Sequence, residues 1–178
     1  MVFVSSIIAA AVADEPLRLN PFGDPFIQVT SALHCPAPRG PAYTNAAMRQ
    51  EAHYRAERGT SCWLEGRCSE PNAYLYDERI ANSAVAALRA DVALAESAIW
   101  LIAERRFVYL QGCVSSAGQI ERAQALVRQV ADVDVVIPAL SVPGEAPRYP
   151  LATQLQRWRC AGVDCDVAGA GAVAPAGR

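Results

Sequence analysis

The sequence predicts an α+β fold: an α-β-β-α-β sandwich in which a three-stranded mixed sheet carries two helices on one face. An irregular, Cys- and Pro-rich N-terminal region with one helix precedes it. Three observations carry this prediction. Ile80, Ala84, Ala87 and Leu88 recur at helical spacing behind Asp77. Two strand-like runs, 97–104 and 107–114, flank Arg105-Arg106. A second helical stripe, Ile120, Ala123, Val127 and Val130, leads into a β-branched run over 133–141.

Taken in order, residues 14–42 are Pro-rich and without periodicity, which reads as extended, irregular chain. Thr44 caps a helix to about Arg58, with Gly59 as its stop. Its stripe of Ala47, Glu51 and Tyr54 is weak. The segment 62–68 reads as a short loop or hairpin closed at its base by Cys62 and Cys68, and Pro71-Asn72 punctuate the chain. Asp77 is placed as the N-cap of a helix to about Arg89. Strand 97–104 follows, then a turn at Arg105-Arg106, although neither residue is a preferred turn former. Gly112 lies inside the second strand, and Ser116 caps the second helix. A helical crossover can then bring strand 133–141 parallel to a hairpin strand. Pro143, Pro147 and Pro150 end the domain. An extension over 142–165 carries a short helix with Leu151, Leu155 and Trp158, and the Ala/Gly-rich tail 166–178 has little to pack.

Composition excludes several functions. The chain has 178 residues, a net charge of −2 and a pI near 5.7, so bulk electrostatic binding of nucleic acid is not expected. All 16 basic residues are Arg, which removes Schiff-base and phosphate-loop lysine chemistry. The only histidines are His34 and His53. There is no G-x-S-x-G and no H-E-x-x-H. Glu51 and His53 stand two apart on a helix and diverge. Cys35 beside His34 is adjacency without geometry. A paired-carboxylate hydrolase stays open in principle, because its acids can come from anywhere in a chain. The expectation is a protein with no catalytic residue, cofactor or metal.

The N-terminus is apolar up to Ala11-Val12-Ala13 and turns charged at Asp14-Glu15, the cleavage half of a signal peptide over 1–13. No Arg or Lys precedes the apolar run. Mean hydropathy is +0.11 and no apolar run reaches the length of a membrane-spanning helix, so the mature chain is expected periplasmic or secreted, without a transmembrane segment. The cysteines, Cys35, Cys62, Cys68, Cys113, Cys160 and Cys165, are even in number. Zinc would need converging ligand pairs, on paper Cys35, Cys62 and Cys68 with His34 or His53. In an exported chain disulfides are expected instead. Sequence does not choose the pairing. Cys62–Cys68 and Cys160–Cys165 would close short loops, and Cys35–Cys113 would then tie the N-terminal arm to the domain.

Over Asp77 to Leu140, a little over a third of the chain, the sequence resembles a BON domain, the bacterial OsmY and nodulation domain. The resemblance rests on the helix from Asp77 to Leu88, on Val108-Tyr-Leu-Gln-Gly112-Cys-Val114, and on Val130-Ala-Asp-Val133-Asp-Val-Val136. Gly112 matches the family's signature glycine in V-x-L-x-G-x-V. The chain departs where the family usually has Gly: at the first hairpin turn, here Arg105-Arg106, and before the last strand, here Asp132. The resemblance implies an exported or envelope-associated attachment module that binds phospholipid or another envelope component.

Strand alternation sorts the faces. Val108, Leu110, Gly112 and Val114, with Ile99, Leu101 and Ala103, are expected under the helices. Trp100 and Ile102 join Phe107, Tyr109, Gln111 and Cys113 on the opposite face. That face is expected to be covered by the N-terminal arm; the alternative is a lipid or protein site. Gly112 is expected to permit close helix-to-sheet packing. Arg105 and Arg106, with Trp100, Phe107 and Tyr109 nearby, are the candidate contacts for anionic phospholipid. Arg79 and Arg89, and separately Arg157-Trp158-Arg159, are further candidates.

Overall fold

The computed structural model describes residues 15–58 and 60–153. The N-terminal arm holds three short strands, β1 (Arg18–Leu19), β2 (Phe26–Gln28) and β3 (Ala42–Tyr43), where only irregular chain was expected. Strands β1 and β3 pair antiparallel as a small ribbon. Helix α1 (Asn45–Glu57) begins at Thr44, whose side chain accepts the amide of Ala47, as predicted. Segment 62–68 differs from a plain loop. It opens with a short helix, α2 (Thr60–Leu64), and the Cys62–Cys68 disulfide then closes it.

The domain follows the predicted order. Helix α3 spans Asp77–Ala90, β4 Ala98–Glu104, β5 Phe107–Cys113, α4 Ala117–Arg128 and β6 Val135–Ser141. Strands β4 and β5 form the hairpin, and β6 returns parallel to β5. Pro138, which cannot donate to a ladder, is tolerated because β6 is an edge strand.

The sheet has four strands, not three, in the order β2-β4-β5-β6. Strand β2 escaped prediction because three residues after Pro25 cannot show periodicity. It is held by pairing with β4, with Phe26 opposite Ile102 and Gln28 opposite Trp100.

The core lies between the sheet and helices α3 and α4. Ile80, Ala84 and Leu88 from α3 and Ala123 and Val127 from α4 meet Ile99, Leu101, Ala103, Val108 and Leu110, all fully buried. Each large side chain so placed contributes about 1.5–3 kcal/mol by burial.

The opposite face is closed by the arm. A Cys35–Cys113 disulfide ties the two together. Gly40 lies against the Phe26 ring, Ile102 and Gln111 are buried, and Trp100 and Tyr109 are half-buried. The start of the C-terminal extension joins this layer. Tyr149 donates its hydroxyl to the carbonyl of Pro36, and Leu151 bridges Pro38. Residues 1–13, Cys160, Cys165, Leu155, Arg157, Trp158, Arg159 and the tail 166–178 lie outside the described residues, as do Gly59 and the expected Cys160–Cys165 bond. Among the described residues no helix is long and apolar enough to cross a membrane.

Candidate functional site

The hairpin turn organises the site. Arg105 and Arg106 both take positive φ, 49° and 69°, as a two-residue I′ turn requires. Arg is a poor choice there, because the left-handed region costs about 1–2 kcal/mol for a residue with a Cβ. The compensation comes from Asp77. Its carboxylate accepts the backbone amide of Arg105 at 2.6 Å on one oxygen and that of Arg106 at 2.7 Å on the other. Asp77 is therefore the first residue of α3 and a clamp on the turn, not the helix cap expected; Tyr76 holds the cap position without a side-chain bond. Burial raises the Asp77 pKa to about 6, while the two amides oppose that shift. Asp132, at the second departure, also has positive φ (69°), so both departures keep a glycine-like backbone.

Two further charges stiffen the tip. Arg106 donates through Nε to the carbonyl of Asp132 and sits 3.3 Å from the carboxylate of Asp134. The Arg105 guanidinium stacks over Phe107, 4.8 Å from its centroid. Its Nε is shut away from solvent without an acceptor.

A cavity of about 340 Å³ opens beside this tip. Arg105, Arg106, Phe107, Asp134 and Tyr76 line it from the domain, and Arg58, Cys62, Cys68, Glu70 and Ala73 from the preceding segment. The lining thus counts three arginines against two acidic residues, with the Arg58 guanidinium stacked over Tyr54, 4.3 Å from its centroid. Among the described residues no carboxylate stands within ion-pair distance of Arg58 or Arg105. The cavity is a positive spot on an acidic protein, and forked guanidinium donors suit phosphate or carboxylate oxygens.

Of the residues singled out from sequence, Arg105, Arg106 and Phe107 converge on this cavity. Tyr109 does not line it; it lies near Glu104 and Arg105, and burial raises its pKa. Trp100 lies mid-strand opposite Gln28 and Gln111, away from the tip. Arg79 is engaged by Asp132 at 2.9 Å, and Arg89 donates to the carbonyls of Val29 and Gln28. Arg58 was missed. It lies at the end of a weakly patterned helix, and no sequence spacing links it to residue 105.

Gly112 corrects another expectation. Its φ is +124°, and a Cβ there would stand 2.0 Å from the carbonyl oxygen of Ala98. The glycine is required by the neighbouring strand, not by helix packing.

A second polar cluster fixes the arm. Arg55 of α1 forms a two-pronged pair with Asp24 at 2.6 and 2.7 Å and approaches Glu51 at 3.2 Å and Glu104 at 3.8 Å. Its guanidinium also stacks on Phe22 and Tyr74. Three carboxylates around one cation leave negative charge in excess. Burial, then Asp24 and Glu51, raise the Glu104 pKa to about 7. Burial pushes Tyr43 up to about 12. Tyr74, half-buried and donating to Glu51, is also raised, first by its partial burial. These groups hold one another, and Cys35, the one thiol beside a histidine, is spent in a disulfide.

With the clamped hairpin, the signature glycine and the parallel third domain strand in place, comparison with known families is decisive. Residues 76–144 match the family model described as BON domain. The segment is a BON domain. Its match frames the stretch expected from sequence and leaves the arm, including Arg58 and the Cys62–Cys68 loop, outside. No curated protein and no solved structure matches the chain. BON domains are generally non-catalytic, and the family fits an envelope-associated module. The disulfides Cys35–Cys113 and Cys62–Cys68 suit an oxidising envelope compartment.

Proposed function

We propose that this protein is a non-enzymatic, exported envelope module that attaches peripherally to anionic phospholipid through the tip of its BON hairpin. The observation that supports this reading is the cavity that Arg58, Arg105 and Arg106 line together with Phe107. A headgroup phosphate would take forked hydrogen bonds from Arg58 and Arg105, neither of which has a carboxylate at ion-pair distance among the described residues. Arg106, held by Asp132 and Asp134, sets the geometry. Export through the apolar segment 1–13 belongs to the same proposal and would deliver the chain where its disulfides form. The alternative of a protein docked on the aromatic sheet face is less favoured, since the arm already covers that face through Cys35, Gly40 and Arg55.

Replacement of Arg58 and Arg105 by Ala tests the reading. Flotation with anionic vesicles at low salt should weaken about thirtyfold, since each of the two near-surface Arg is worth about 1 kcal/mol. Unchanged flotation in the double variant would sink it.

A further inference from the structure

Next in sequence to a residue of the cavity wall stands an exposed apolar pair that belongs to the arm and not to the BON domain. Helix α2 ends in Trp63 and Leu64, 45% and 78% exposed, directly after Cys62, which lines the cavity wall. Single exposed apolar residues are ordinary, but a Trp–Leu pair on a covalently closed loop is not. The loop is held by the Cys62–Cys68 disulfide and by bonds from the amides of Gly66 to Trp63 and Arg67 to Cys62. These contacts fix the pair within the loop, and bonds from the Ser69 hydroxyl and the Glu70 amide to the Tyr76 hydroxyl tie the loop's exit to the cavity wall.

We infer that the Cys62–Cys68 loop is a membrane wedge: Trp63 and Leu64 enter the boundary between headgroups and acyl chains of an anionic bilayer while the adjacent arginine cavity takes a headgroup phosphate. This rests on the proposed lipid attachment and adds a site outside the matched domain. The juxtaposition selects a bilayer over a protein partner. A dry protein interface would have to desolvate Arg58 and Arg105 together with the apolar pair, whereas a bilayer surface solvates the cations where it accepts the apolar groups. Trp suits that boundary, being apolar in body with one N–H to leave in the polar layer.

The test is lipid quenching of tryptophan fluorescence on the full, oxidised chain. Vesicles are anionic phosphatidylglycerol/phosphatidylcholine or neutral phosphatidylcholine, with a quencher attached to the upper acyl chain. Wild type is compared with Trp63→Phe, so that the difference isolates Trp63 from Trp100 and Trp158. Quenching and a blue shift on anionic vesicles that vanish in Trp63→Phe support the wedge. Leu64→Asp, a change at an exposed site that should leave folding intact, should then weaken flotation about tenfold. The Cys62→Ser/Cys68→Ser variant should weaken it in the same direction. Salt-sensitive binding in which Trp63 stays unquenched and Leu64→Asp has no effect would overturn the wedge while leaving headgroup attachment standing. No binding to anionic vesicles under any condition would overturn both.

Discussion

At the scale of single residues, Asp77 and Glu104 near the hairpin tip and Gly112 at its far end each carry a separate test. Asp77 satisfies two turn amides at once, so Asp77→Ala should cost about 2–3 kcal/mol, read by denaturant unfolding. Gly112→Ala forces a Cβ into a neighbouring backbone carbonyl that cannot swing aside, and should cost roughly 3–4 kcal/mol. Glu104 supplies a pH signature. Its folded pKa is raised to about 7 by burial and by Asp24 and Glu51, with Arg55 and Arg105 opposing. A raised carboxyl binds its proton more tightly in the folded state. Its contribution to stability is full below the unfolded value near 4.5 and is lost as pH rises through 7. Asp77, raised to about 6, adds to the slope in the same direction. Glu104→Gln should therefore be more stable than wild type at pH 8, by up to about 2 kcal/mol, with the gap closing near pH 4. Equal pH profiles for the two would show that Glu104 does not carry the shift.

At the scale of elements, patterning made the domain legible and failed where pattern does not reach. The stripes of α3 and α4 and the alternation of β4 and β5 each bury one face, and a buried face leaves its period in the sequence. Strand β2 is too short to have a period. Helix α1 packs through Glu51 and Arg55, while Tyr54, placed in its apolar stripe from sequence, is 45% exposed; a polar inner face looks like no face at all. The turn was located but its clamp was not, because Asp77 and residues 105–106 are joined only in space. That clamp makes the hairpin tunable. Arg105→Asn, which accepts a left-handed backbone more readily, should leave stability unchanged or raise it by up to about 1 kcal/mol while weakening anionic binding. A stable variant with lost binding would mark Arg105 as kept at a structural cost.

For the whole molecule, the arm and the domain act as one unit because covalent and ionic links cross between them. The Cys35–Cys113 disulfide spans 78 residues and constrains the unfolded chain by about 4 kcal/mol in the loop-entropy view. Its removal by Cys35→Ser/Cys113→Ser should lower the melting temperature clearly and raise binding of dyes specific for exposed apolar surface, as Ile102 and Trp100 lose their cover. The pairing itself was one possibility among many in the sequence. It became decidable only once β5 placed Cys113 on the face that the arm crosses. The same geometry brings Arg58 of the arm to Arg105 of the hairpin, so the candidate site belongs to neither part alone.

The most direct measurement is vesicle flotation of the oxidised chain from Asp14 onward, which leaves the apolar segment 1–13 out of the comparison. Anionic and neutral vesicles are compared at low and high salt, for wild type and Arg58→Ala/Arg105→Ala. The account predicts that wild type floats with anionic vesicles only, that salt weakens this, and that the double variant largely loses it. Flotation that ignores vesicle charge, salt and both arginines would contradict it.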